Sequence, residues 1–307
     1  MSPLGEALDD YLTVRRQLGF KLENQGQQLA QFVGFLEQSG QSTVTTEFAL
    51  AWATQPVGVK KHRYRQRLGM VRGFARHLAT LDPATEIPPC DLLPARQQRI
   101  APYIYSPAEI ERMMSAAKTL LPPVRGATVQ TMIGLLAASG MRLGEALALG
   151  DGDIDFDAGV ITAVGKWSKQ REIPIHPTTV AALRAYQRTR DRCLPDRPTA
   201  ALFITRRGPR LTKGAFGKSF RSVIALAGLE GAGERARPRP HDLRHAFAVR
   251  TLIGWHQAGI DVHREMPRLS TYLGHVYPSD TFWYLQAVPE LLQLAARDLD
   301  RLLGGGS

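Results

Sequence analysis

A chain of 307 residues with 44% hydrophobic side chains has ample material for a buried core, and its length suits two domains better than one. Lys and Arg number 39 against 28 Asp and Glu, a formal charge of +11, so the expected partner is a polyanion, nucleic acid first, because basic surfaces capture phosphates by releasing counterions. Two cysteines, Cys90 and Cys193, exclude a disulfide framework and a cysteine-built zinc site, and no apolar run approaches the roughly 18 residues of a membrane-spanning helix.

The first eighty residues carry helical periodicity without strand alternation. Leu29, Phe32, Val33 and Leu36 fall at i, i+3, i+4 and i+7, and Leu68, Val71, Phe74 or Ala75, and Leu78 repeat the stripe. Helices are expected over about 5–18, 25–39, 46–55 and 60–80, a bundle of four forming a domain over 1–82. Just ahead of the last stripe runs "KKHRYRQR". Its cations Lys60, Lys61, Arg63, Arg65 and Arg67 line the start of that helix, a candidate nucleic-acid surface set against the plainer alternative of a solvated charged face.

Residues 81–107 hold six prolines and no sustained apolar period, which predicts a linker over 83–105. "SPAE" follows, with Ser106 able to cap, Pro107 at the first helical position and Glu109 closing a capping box, so a second domain is expected over 106–303. Inside it an apolar helix over 125–139 ends at Gly140, and "RLGEALAL" begins a short second helix. "DIDFDAGVITAV" and "REIPI" are β-rich runs bracketing "GKWSKQ", which predicts strands joined by hairpins. Helices return in "HPTTVAALRAYQRTR", "TKGAFGKSFRSVIALAG" and "RHAFAVRTLIGWHQAG", the last two closing on glycine. The expected fold class is therefore mainly α with a small antiparallel β-sheet. The terminal "GGGS", 304–307, reads as flexible linker sequence outside the fold. The start "MSPLGEALDDYL" lacks the basic-then-apolar build of a signal peptide, which predicts an intracellular protein.

Singly, the polar residues of the second half say little: Arg142 fits a surface arginine and Lys166 a solvated lysine in a turn. His241 and His245 have the i, i+4 spacing of a metal pair, but no third ligand accompanies them and Arg244 between them repels a cation, so no metal site is expected. In order, Arg142, Lys166, His241, Arg244, His275 and Tyr284 supply two guanidinium forks, an ammonium, two imidazoles and a phenol, with no carboxylate cage for Mg²⁺. That is a kit for phosphoryl transfer without a metal. Two arginines clamp the nonbridging oxygens that gain charge in the transition state. A phenol needs such a positive field and a neighbouring base to become a nucleophile, and a lysine can protonate the leaving oxygen.

These segments resemble the tyrosine recombinases of the phage integrase family. "SGMRLGEAL" is similar to the segment carrying the family's first catalytic arginine, here Arg142, with Glu145 at the position of its supporting acid. "VGKWSKQREIPI" resembles the hairpin of the catalytic lysine, which the family places directly after the glycine, selecting Lys166 over Lys169, with Trp167 where a small residue is usual. "HDLRHAFA" is similar to the H-x-L-R-H signature and gives His241 and Arg244; "YLGH" gives His275. The family's nucleophile lies nine residues after that histidine, at Tyr284. Tyr272 and Tyr277 are then read as packing or phosphate-contact residues, and Phe282 and Trp283 as core. The stretch of thirty residues between Arg244 and His275 is longer than in compact members and is expected to lengthen a loop or helix.

The resemblance implies a SAM-like helical core-binding domain followed by a catalytic domain, the two clamping duplex DNA. It implies that Tyr284 attacks a scissile phosphate to form a 3′-phosphotyrosyl link, that Arg142 and Arg244 stabilise the transition state with His275 on the same phosphate, that Lys166 protonates the leaving oxygen, and that His241 assists proton transfer at the tyrosine. No ATP and no cofactor are implied. The partners implied are double-stranded DNA and further protomers in a tetrameric synapse passing through a Holliday junction. Val288, Leu291 or Leu292, Ala295, Leu299 and Leu302 form one helical stripe, which either docks on a neighbouring subunit or packs on its own domain. Arg206, Arg207 and Arg210 join the first-domain cations as expected phosphate contacts. The role expected is integration, excision or transposition of a bacterial mobile element in the nucleoid-bearing cytoplasm, with no membrane partner. A type IB topoisomerase activity and a catalytically silent architectural DNA-binding protein are the alternatives.

Overall fold

The computed structural model describes residues 2–93, 101–165, 170–229, 237–275, 277 and 279–287. The chain divides into two compact units, Met1–Arg99 and Ile100–Ser307. The described residues of the first unit form the helices α1 (Pro3–Gln17), α2 (Glu23–Gln38), α3 (Thr46–Thr54) and α4 (Lys61–Leu78). α1 begins two residues before its expected start, because Ser2 Oγ accepts the Gly5 amide at 3.1 Å and Pro3 suits the first turn. The stripes read on α2 and α4 lie in the core of this unit, with Leu29, Phe32, Leu36, Val71 and Phe74 all buried in one cluster with Trp52 of α3. Each such side chain contributes about 1.5–3 kcal/mol by leaving water.

After α4 the chain doubles back on this unit. The Thr46 amide donates to Glu86 Oε2 at 2.7 Å, the Glu86 amide to the Val44 carbonyl at 2.8 Å, and the Arg72 guanidinium to the carbonyls of Pro88 and Pro89, each at 2.6 Å. Proline lacks an N–H but keeps its acceptor. The early part of the segment read as a linker from residue 83 is thus hydrogen-bonded into the first unit, a tie that proline content alone conceals.

The second unit opens with the expected capping box: the Glu109 amide donates to Ser106 Oγ at 3.2 Å and the Ser106 amide to Glu109 Oε2 at 2.8 Å, starting α5 (Pro107–Lys118). Then come α6 (Pro123–Ser139), α7 (Leu143–Ala148), and strands β1 (Ile154–Asp155), β2 (Val160–Val164) and β3 (Gln170–Pro174). The strands form one antiparallel sheet in the order β1-β2-β3, with buried Ile161 opposite buried Ile173. Among the described residues the helices that follow are α8 (Pro177–Cys193), α9 (Lys213–Leu226), α10 (Asp242–Gln257), α11 (Val262–Leu273) and α12 (Ser279–Ala287).

A main core lies under α5, α6, the sheet, α8 and α9. A second cluster joins Val249 and Leu252 of α10, Met266, Leu269 and Leu273 of α11, and Tyr284 of α12. The long stretch between Arg244 and His275 is accordingly the body of α10, a turn, and α11, whose apolar face closes this second core. α6 approaches α10 closely at Gly140, which has φ +60° and where an added Cβ would lie 2.4 Å from Phe247 Cδ1. Only glycine satisfies both the left-handed backbone and that contact.

Candidate active site

Arg142 heads α7, and Glu145 in the first turn of that helix accepts its amide at 2.9 Å and its Nη1 at 2.8 Å. Arg171, on β3, donates Nη2 to Glu145 Oε2, the oxygen that also accepts the Arg142 amide, at 2.7 Å. Burial pushes the Glu145 carboxyl up, but the Arg142 amide and the Arg171 and Arg142 guanidinium groups outweigh it and hold the group below the ordinary carboxylate range.

The same guanidinium groups meet the carboxyl end of α11. Arg171 donates to the Tyr272 carbonyl, Arg244 to the Leu273 carbonyl at 2.6 Å, and Arg142 to the Gly274 carbonyl. Arg244, buried at 2% exposed, also donates to the Gly140 carbonyl at the end of α6, at 2.8 Å. Carbonyls at helix C-termini carry partial negative charge, which allows three like charges to share one space. Gly274 is confined for the same reason: φ is +66°, and a Cβ there would lie 3.3 Å from Arg142 Nη1 and from Arg171 Cδ. Burial, then the neighbouring Arg142, pull the Arg244 pKa to about 10, so it stays cationic at neutral pH. Three guanidinium groups face one carboxylate, a surplus of positive charge suited to an anion such as a phosphodiester.

Tyr284 lies beside these cations, 2% exposed. Its Oη is hydrogen-bonded to His245 Nδ1 at 2.9 Å, and the His275 ring stacks over it at a centroid distance of 6.5 Å and 24°. His275 is fixed by Thr281 Oγ1, 2.6 Å from its Nδ1, and Thr281, one helical turn before Tyr284, is fully buried. Burial raises the Tyr284 phenol to about 12 against the lowering pull of Arg244. Burial and adjacent cations push the imidazoles the other way, His275 to about 4 and His245 to about 3. His241, at the N-terminus of α10, has a surface open to solvent, yet close packing and Arg244 lower it to about 4.

Of the residues expected at the site, the fold brings together Arg142, Glu145, Arg244, His275 and Tyr284. Lys166 lies outside the described residues. His241 was expected at the tyrosine, but the imidazole bonded to the phenol is His245; the His241 ring stands edge-on to that of His245 at 4.7 Å. His241 precedes the helix and His245 is one turn inside it, which carries the latter toward α12. Tyr277 is 68% exposed and Tyr272 stacks on Phe247 at 5.5 Å. Phe282, expected in the core, is 39% exposed, because α12 turns Thr281 and Tyr284 inward. The stripe from Val288 to Leu302 lies outside the described residues.

The fold adds two side chains to this cluster that the motifs do not single out. His245 is visible in H-x-L-R-H, where its spacing from His241 suggests only half of a metal pair. Arg171 shares strand parity with buried Ile173, so a cation on the core-facing side of "REIPI" was the available signal. Among the described residues no cluster of three His, Cys, Asp or Glu side chains is arranged to hold a metal ion.

The expected phosphate contacts divide. Lys60, Lys61, Arg63 and Arg65 are exposed along the entry and first turns of α4. Arg67 instead lies 3.6 Å above the Trp52 ring and donates to the Trp52 carbonyl at 2.9 Å, which ties it into the first unit. Arg206 and Arg207 are exposed and, with Arg125 and Lys218, line a cavity of about 570 Å³. Arg210 donates Nη1 to the carbonyls of Leu147, Ala148 and Leu149 at 2.9, 2.6 and 3.0 Å, capping the end of α7.

Residues 105–290 match the phage integrase family. This chain belongs to that family. The integrase is 44% identical to the putative integrase/recombinase y4rB of Sinorhizobium fredii over 98% of both chains. It is 30% identical to the tyrosine recombinase XerC of Herpetosiphon aurantiacus over 89% of its own length and 87% of that protein. In fold it resembles the Tn1549 transposon integrase solved with transposon right-end DNA, with TM-score 0.64 at 18% identity over 97% of this chain and 99% of that one. It also resembles the XerH site-specific recombinase bound to its difH substrate, with TM-score 0.62 at 20% identity over 82% and 70%. The family makes the protein an enzyme of the tyrosine recombinase class.

Proposed function

We propose that this enzyme cuts and rejoins duplex DNA at specific sites through a 3′-phosphotyrosyl link on Tyr284. The observation that carries the reading is the placement of the Tyr284 phenol, buried between two neutral imidazoles and beside the charge surplus left by Arg142, Arg171 and Arg244. Arg142 and Arg244 would take the nonbridging oxygens of the scissile phosphate as charge builds on them. His275 would hydrogen-bond the same phosphate, Glu145 holds Arg142 in place, and Lys166 would protonate the departing 5′ oxygen. One phosphodiester is exchanged for another, so the cycle needs neither ATP nor cofactor.

Duplex DNA as partner is supported by the surplus of +11, by the exposed cations of α4 and by the DNA-bound state of the Tn1549 and XerH neighbours. Lys60, Lys61, Arg63, Arg65, Arg206 and Arg207 would supply phosphate contacts. Exchange of two duplexes through a Holliday junction calls for four protomers, with the residues after Tyr284 as the exchanged contact. We infer integration, excision or transposition of a bacterial mobile element at the nucleoid as the task, a reading that the integrase/recombinase name of the Sinorhizobium fredii relative supports.

The test is covalent trapping. Nicked suicide duplexes drawn from DNA flanking the gene should give a denaturant-resistant adduct with the wild-type protein and none with Tyr284→Phe. Tight binding to the same duplexes without any adduct would overturn the reading.

A further inference from the structure

Arg171 differs from Arg142 and Arg244 in where it is rooted. Arg142 heads α7 and Arg244 lies in the first turn of α10, whereas Arg171 stands on β3, opposite buried Ala163 of β2 and two residues ahead of buried Ile173. A side chain rooted in a packed sheet is placed more precisely than one on a loop. Both of its terminal nitrogens face protein: Nη2 donates to Glu145 Oε2 at 2.7 Å and Nη1 to the Tyr272 carbonyl. Its Nε is buried with no hydrogen-bond partner among the described residues, and a Cβ on Gly274 would lie 3.3 Å from it. The Arg171 side chain is 16% exposed against 29% for Arg142, so Arg142 keeps the more open guanidinium.

We propose that Arg171 is a positioning residue for strand cleavage, a clamp of fixed reach that ties α7 to the carboxyl end of α11 and so aims Arg142 and His275 at one phosphate. The inference rests on the cleavage reading above, and in it Arg171 acts through Glu145 and the Tyr272 carbonyl without touching the DNA. On the α7 side it is the counter-ion of Glu145. Burial raises that carboxyl, and the Arg142 amide and then the Arg171 guanidinium, ahead of the Arg142 guanidinium, pull it down. A carboxylate already balanced by Arg171 fixes the direction of Arg142 without cancelling its charge, which stays available to the nonbridging oxygens.

On the α11 side Arg171 holds the first of three successive carbonyls. Arg244 holds the next, of Leu273, and Arg142 the third, of Gly274. His275 follows at once, its amide closing on the Ser270 carbonyl at 3.0 Å. One guanidinium fork therefore spans the support of Arg142 and the backbone that delivers His275. Lysine would supply the same charge but not the span, because a single ammonium on a flexible stem lacks the rigid planar fork that meets two acceptors at once. A residue needed only for its charge would tolerate that exchange, and a clamp would not.

The test measures single-turnover adduct formation at saturating concentrations of the nicked duplexes that trap the wild-type protein. Arg171→Lys should slow cleavage by about 10–10²-fold, the cost of reacting groups displaced by about 1 Å, while the Kd for the duplex stays within about twofold of wild type. In a Glu145→Gln background the same substitution should cost less than about threefold more, because the two side chains act through one contact. Ethylguanidinium added to Arg171→Ala should recover part of the rate, a result that a folding defect does not give. An Arg171→Lys rate within about threefold of wild type, a Kd that rises in proportion to the lost rate, or losses that multiply in the double variant would each overturn the assignment while leaving the cleavage reading intact. No adduct with the wild-type protein would overturn both.

Discussion

Replacing Glu145 by glutamine tests whether one buried carboxylate organises the cationic site. Glu145 accepts the Arg142 amide and two guanidinium groups at 2.7–2.9 Å, and its side chain is 4% exposed. Hydrogen bonds to charged groups are worth about 1.5–3 kcal/mol each. Glutamine keeps one acceptor oxygen but turns an NH₂ group onto a guanidinium, while relief from burying a carboxylate offsets part of the loss. The net cost is about 2–3 kcal/mol, or a fall of about 4–12 °C in the melting transition of the second unit. Scanning calorimetry of the full chain should show that transition moving and the transition of the first unit unchanged. Cleavage should slow by about 10²-fold, since Arg142 loses the partner that sets its position. The pH dependence has a definite sign. The folded pKa lies below the ordinary 4.5, so the carboxylate stabilises the fold above that pH and loses its effect as pH falls through the folded value. The gap between wild type and Glu145→Gln should therefore shrink on acidification below about 4.5. A second-unit transition that moves by under about 1 °C at neutral pH, with cleavage unchanged, would refute the reasoning.

Gly140→Ala combines a left-handed φ with a Cβ 2.4 Å from Phe247; it should cost about 2–5 kcal/mol by thermal denaturation. The three site histidines have pKa values of about 3–4 when folded, so the unfolded chain binds more protons than the folded one below its ordinary value of 6.5. The second unit should lose stability from about pH 6.5 downward, by at most about 1.4 kcal/mol per pH unit for each histidine and least for solvent-open His241; a melting temperature flat from pH 7 to 5 would contradict this. Lys61→Ala and Arg63→Ala should each reduce the salt slope of DNA binding by about 1 without changing stability. Arg67→Ala should instead lower the stability of the first unit by about 1–2 kcal/mol in the same assays, because its guanidinium sits on Trp52.

Much of this was legible in the sequence. The stripes of α2 and α4, the capping box at Ser106 and the glycine stop at Gly140 act within a turn or two of chain, and local pattern reports local structure. The ordered motifs likewise name Arg142, Glu145, Arg244, His275 and Tyr284, which the fold brings together. What stayed hidden depends on contacts between residues far apart in the chain. Arg171 reaches Glu145 across twenty-six positions and Tyr272 across a hundred and one. Nothing local to "REIPI" names either partner. Arg67 and Arg210 looked like phosphate contacts because charge runs show valence and not occupancy: one is fixed by a tryptophan and the other by the end of α7. His245 differs from His241 by one helical turn, and only the packing of α12 on α10 decides which imidazole meets the phenol.

The most direct test of the central claim is to locate the covalent bond. Trypsin cuts after Arg268 and Arg297, so Tyr272, Tyr277 and Tyr284 fall in one peptide, and fragment-ion mass spectrometry of the nuclease-trimmed adduct assigns the nucleotide among them. The account predicts the added phosphonucleotide on Tyr284, leaving Tyr272 and Tyr277 unmodified. A nucleotide on Tyr277, the exposed tyrosine, or on any residue outside this peptide would contradict it.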